Sequence, residues 1–184
     1  GIAARRIGDV GEGLAVEFIQ ADVREVAFRD EFDVTLNMAD GAIGYFESDA
    51  ENLRLFDVIG RSLRRGGVHV MGICSADHAI AHFPKRHWQA GRYCLSLADF
   101  RWNAATSRML YRGHLFEFGQ PLKTISDSFP EEDADAGTRL YTMKELEAIL
   151  AERGMTIMAA YGAYDTAIPF SADHLMQVVC SRKG

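Results

Sequence analysis

Residues 14–47, LAVEFIQADVREVAFRDEFDVTLNMADGAIGYFE, decide how this chain folds. From Leu14 to Gln20, β-branched and aromatic residues alternate with others, which predicts a strand. Asp22 follows in a charged turn. Phe32, Val34, Leu36 and Met38 then alternate with polar neighbours, so 32–38 predicts a second strand. That strand runs into a loop of small residues, Ala39 to Gly44, closed by Tyr45 and Phe46. A small-residue loop at a strand tip is how an open α/β sheet builds half of a nucleotide-type pocket.

Working outward, Ser48 with Glu51 three residues on has the spacing of a helix-opening capping box. Leu53, Phe56, Ile59 and Leu63 give that helix one apolar face. Arg61, Arg64 and Arg65 suit its C-terminal dipole, and Gly66-Gly67 is expected to stop it. A buried strand is predicted over 68–74 and a short helix over 77–83, ended by Pro84. Segments 92–103, 107–118 and 122–129 read as an antiparallel meander, followed by an acidic loop over 130–137. Thr142 and Glu145 open another capped helix, which Gly154 ends. Strands 155–164 and 175–182 are joined by a connection short enough for an antiparallel pair. Upstream, 1–7 predicts the last turns of a helix. Gly8, Gly11 and Gly13 then precede a strand instead of following one, which speaks against a phosphate-cradling loop. This order predicts an α/β fold. Its sheet is mostly parallel with an antiparallel last strand, and residues 92–129 form an antiparallel insert in one domain spanning 1–184.

The net charge of −6 lacks the basic footprint of a nucleic-acid binder. No apolar run approaches the roughly 20 residues that span a bilayer. Cys74, Cys94 and Cys180 are odd in number and widely spaced, so reduced thiols and a cytoplasmic location are expected. His78 and His82 lie four apart on a short helix with no third ligand evident, so no metal site is expected.

The segments QADVRE, DEFDVTLNM, LRLFDVIGRSLRRGGVHVMGI and YTMKELEAILAERGM, in this order, resemble the class I S-adenosylmethionine-dependent methyltransferases of the small-molecule branch. Arg65 stands where proline is usual in that family. The resemblance implies a Rossmann-like fold, S-adenosylmethionine as cofactor, and methyl transfer to an amine or hydroxyl of a small molecule. It implies that Asp22 accepts from the adenine amine and that Val23 offers its backbone there. Asn37, Met38, Ala39 and Gly41 would line the cofactor. Tyr45 would face the transfer site as a substrate contact and, with His87, as a candidate base for a hydroxyl acceptor. Arg86, Trp88, Arg139, Tyr141 and Tyr164 would contact the substrate. For Asp22 the competing reading is a turn residue, for Tyr45 a helix staple, and for Trp88 and Tyr141 core packing. The family's first two strands and glycine-rich loop are not in this sequence, so the chain is expected to be N-terminally truncated and not competent alone. A homodimer is compatible with the sheet edge so exposed. The rival readings are a nicotinamide oxidoreductase of related fold and a non-catalytic domain that packs on a partner.

Overall fold

The computed structural model describes residues 16–121 and 137–184. The expected helix over 1–7, the glycine turn over 8–13, the strand over 122–129 and most of the acidic loop fall outside these. Chain order is β1 (Phe32–Asn37), α1 (Asp49–Ser62), β2 (Leu63–Cys74), α2 (Ala76–His82), β3 (Lys85–Ala90), β4 (Cys94–Asn103), β5 (Arg108–Glu117), β6 (Thr138–Arg139), α3 (Met143–Ala151), β7 (Met155–Tyr161) and β8 (Met176–Lys183).

The caps form as the sequence predicts. Ser48 Oγ accepts from Glu51 N at 3.2 Å. Thr142 Oγ1 accepts from Glu145 N at 3.1 Å while Glu145 Oε2 accepts from Thr142 N at 2.8 Å. Gly66-Gly67 does not end α1. The helix passes directly into β2, and Gly66, at φ +79°, lies where the β1–β2 register is irregular.

The first sheet has the order β1-β2-β8-β7. β1 and β2 pair in parallel, and the reversed β8 lies between β2 and β7 and pairs antiparallel with both. The sheet is therefore mixed, not mostly parallel: three strands run one way, but β8 turns two of the three ladders antiparallel. The expected strand over 14–20 does not form among the described residues. Residues 16–20 carry no ladder, and a strand is stable only when another pairs with it. α1 and α3 cover one face of the sheet, where Leu55, Phe56, Ile59, Leu146 and Leu150 pack on Met71, Ile73, Val179 and Met155. On the other face Val34 and Leu36 are exposed.

The second sheet, β3-β4-β5-β6, is antiparallel throughout. It begins at Lys85, earlier than the expected insert boundary of 92, because KRHWQA pairs along β4 without any apolar alternation to announce it. Phe100, Trp102 and Met109 line the face that packs on Ala76 and Ala79 of α2, with Cys74 and Leu140.

Two arginines join this sheet to the loop after β1. Arg108, 3% exposed, donates to the carbonyls of Phe46, Glu47 and Gly137. Arg139 N donates to Gly44 O at 2.8 Å. Gly44 has φ +86°, and a Cβ there would stand 2.0 Å from Arg139 O. Gly44→Ala combines left-handed strain with a backbone clash. It is expected to lower stability by at least about 2 kcal/mol, read as a fall in the urea midpoint.

Candidate active site

The carboxyl ends of β1 and β2 lie side by side, and in open α/β sheets that edge is where ligands bind. Beyond Met38, four consecutive residues are left-handed: Ala39 (φ +51°), Asp40 (+66°), Gly41 (+52°) and Ala42 (+67°). Left-handed backbone costs an L-residue about 1 kcal/mol or more, so three non-glycine residues within a four-residue turn need strong fasteners. The structure supplies them. Asp40 N donates to Gly72 O at 2.8 Å, and Ile43 N to Asp40 O at 2.9 Å, with Ile43 buried in the core. Ala39 N donates to Tyr164 Oη at 3.1 Å, and Cys74 N to Asp40 Oδ1 at 3.0 Å.

Asn37 is the brace beneath this turn. Its Nδ2 donates to Gly41 O at 3.2 Å, and its Oδ1 lies 3.0 Å from His69 Nε2. Gly41 sits so close that a Cβ would meet Asn37 Cβ at 2.8 Å. His69 is fully buried, and burial depresses its pKa to about 4, so the ring is neutral and donates from Nε2. The Asn37 side chain is thus committed to holding the loop, and what it can offer a ligand is backbone.

The turn projects Asp40 between Cys74 and Tyr45. Tyr45 Oη donates to Asp40 Oδ2 at 3.2 Å, and Cys74 lies on the other side of the carboxylate. Burial, then the Asp40 charge, pushes the thiol up to about 12; the same causes raise Tyr45. Tyr45 and Tyr164 are both exposed. Tyr164 lies across Gly72, where a Cβ would be 2.2 Å from its hydroxyl. Ala39, Gly41, Tyr45 and Tyr164 are thereby brought together, with Met38 exposed beside them.

Asp40 is the residue that the sequence reading left out of its site. Its signal was present: it is the only charged residue between Asp33 and Glu47, at a strand tip among small residues.

The remaining expected residues lie elsewhere. Asp22 is held by Arg24, whose backbone N and side-chain Nε and Nη2 all donate to its carboxylate. These bonds lower the Asp22 pKa to about 2 and use the lone pairs that an adenine amine would need. Arg24 also pairs with Glu51 and lies over Phe46, fastening this turn to α1. Val23 is exposed beside it. Tyr141 is 2% exposed, edge-on to Phe56 in the core, and burial pushes its pKa up to about 12. Arg139 pairs with Glu145 and Asp49 and lies over Tyr141. Arg86, Asp99 and Arg112 share one register row, which the pleat places opposite the face of Phe100. A groove of about 420 Å³ on that side is lined by Arg86, His87, Trp88, Asp99, Arg112 and His114. It faces away from α2, so Arg86 and Trp88 do not join Tyr45. His87 is exposed on an edge strand.

No protein-family model and no curated protein sequence matches the chain. Solved structures do match. An S-adenosylmethionine-dependent methyltransferase from Clostridium acetobutylicum ATCC 824 superposes with a TM-score of 0.72 at 13% identity, over 99% of this chain and 70% of that one. The CcbJ methyltransferase from Streptomyces caelestis gives 0.68 at 9%, over 90% and 67%. The sugar N-methyltransferase KedS8 from Streptoalloteichus sp ATCC 53650 gives 0.55 at 17%, over 100% and 67%. The chain has the fold of the S-adenosylmethionine-dependent methyltransferases. The chain spans about two thirds of the length of these structures. No helix among the described residues is long and apolar enough to cross a membrane, and none of their His, Cys, Asp and Glu side chains cluster to hold a metal.

His69 gives the site a pH signature. Its folded pKa, about 4, lies below its unfolded value of 6.5. The stability it allows is complete above pH 6.5 and is lost as pH falls toward 4, a change of about 3 kcal/mol. His69→Asn is expected to remove that acid limb, read as the difference between the two stability-versus-pH curves.

Proposed function

We propose that this protein transfers a methyl group from S-adenosylmethionine to an amine or hydroxyl of a small molecule. The carrying observation is the convergence of Asp40, Tyr45 and Tyr164 at the tips of β1 and β2, in a chain with the methyltransferase fold. The names of several fold neighbours support an amine: KedS8 is a sugar N-methyltransferase and CalS10 an amino pentose methyltransferase. The reversed β8 between β2 and β7, as the resemblance to the methyltransferases implies, favours this reading over a nicotinamide oxidoreductase.

The donor set suits the cofactor. A carboxylate and two exposed phenol rings favour a sulfonium cation, and Ala39 and Gly41 leave room for close approach. Bound S-adenosylmethionine would supply an electrophilic methyl carbon. The backbone of Met38, Ala39 and Gly41 would line it, and Val23 would lie toward adenine. Tyr45 and Tyr164 would orient the acceptor, while the Phe100–Trp102 face of the antiparallel sheet would exclude water. Further strands would pair along the edge of β1, where Val34 and Leu36 are exposed, and would complete the cofactor site there, so residues 1–184 alone would bind poorly. The three free cysteines support a reducing, cytoplasmic setting.

Titration calorimetry with S-adenosylhomocysteine tests this reading. The protein at its full natural length is expected to bind, and residues 1–184 to bind at least about tenfold more weakly. No binding by the full-length protein contradicts the proposal.

A further inference from the structure

The geometry points to Asp40 as the counter-charge for the cationic centre of the transfer site, and hence to an amine as the acceptor. This rests on the methyltransferase reading above. Among the described residues, three partly buried acids elsewhere have cations, Arg24 for Glu51, Arg112 for Asp99 and Arg139 for Glu145, while a fourth, Asp77, accepts from Met143 N at the start of α3. Asp40 is partly buried, and no Lys, Arg or His among the described residues lies within ion-pair distance of it. Its donors are neutral: the Cys74 amide and the Tyr45 hydroxyl. Two donors for a carboxylate's four lone-pair positions leave room for a ligand. A half-desolvated anion with no cation beside it among the described residues, on a strained turn at a strand tip, is matched by a ligand that brings the positive charge.

The charge movement of the reaction fits that placement. The acceptor nitrogen's lone pair forms the new N–C bond as the C–S bond breaks and leaves its electron pair on sulfur. Positive charge passes from sulfur to nitrogen, and the resulting ammonium releases its proton to solvent. Asp40 attracts the charge at both ends of this path. A hydroxyl acceptor would instead develop negative charge as it loses its proton, which Asp40 opposes. On the far side of Cys74, Phe83 stacks on Phe100 at 5.5 Å and Trp102 packs alongside, an apolar wall for the body of the amine.

Three probes test the assignment by calorimetry on the full-length protein: S-adenosylmethionine, with a sulfonium; sinefungin, with an ammonium in its place; and neutral S-adenosylhomocysteine. Asp40→Asn keeps an oxygen for Cys74 N and removes the charge. It is expected to lower the preference for both cations over S-adenosylhomocysteine by about tenfold, with affinity for the neutral probe held within about twofold. Asp40→Glu is expected to keep the preference. An unchanged preference in Asp40→Asn overturns the assignment while leaving the methyltransferase reading intact. Loss of the neutral probe together with the cations marks Asp40 as structural and also overturns it. A wild-type protein that binds none of the three defeats both readings.

Discussion

The left-handed turn from Ala39 to Ala42 is the constraint on which the rest of the site depends. L-residues do not hold such a turn unaided. It persists because β2 passes alongside and offers the Gly72 carbonyl and the Cys74 amide, one accepting from Asp40 and the other donating to it. Tyr164 closes it from above and Asn37, set by buried His69, from below. Two strands and the loop before β8 thus converge on four residues. What they gain is position: a carboxylate and two phenols aimed outward at the edge where the sheet can take a ligand.

The same loop is also the joint to the antiparallel sheet. Gly44 lies against Arg139, and Arg108 gathers the carbonyls of Phe46 and Glu47. A buried guanidinium that satisfies several carbonyls is a stiff connector, since its removal would leave them unpaired. The turn and the wall of Phe100 and Trp102 therefore belong to one rigid construction. A site built so needs little reorganisation when a ligand arrives, which suits the proposed methyl transfer, a reaction governed by positioning.

Local signals were legible in the residues and long-range ones were not. Ser48/Glu51 and Thr142/Glu145 announce their helices because a cap is satisfied within a few residues. The strand 32–37 shows its alternation plainly, while β3 is held only by pairing along β4, and KRHWQA has no apolar period to reveal it. The left-handed turn was hidden because Ala39 and Ala42 stand where glycine would be the usual sign. Tyr45, Tyr164, Ala39 and Gly41, which the structure brings together, were expected only through the sequence's likeness to a known family. Asn37 and Asp22 were read for ligands although their side chains are taken, one by His69 and Gly41, the other by Arg24. Which partner holds a polar side chain depends on residues distant in sequence, and no spacing rule reports it.

The most direct test of the account is a crystal structure of the full-length protein with S-adenosylhomocysteine. The account predicts the thioether sulfur at the strand tips, within contact of Tyr45 and facing Asp40 and Tyr164. Density in the groove beside Arg86 and Trp88, or a turn from Ala39 to Ala42 that relaxes out of the left-handed region, would contradict it.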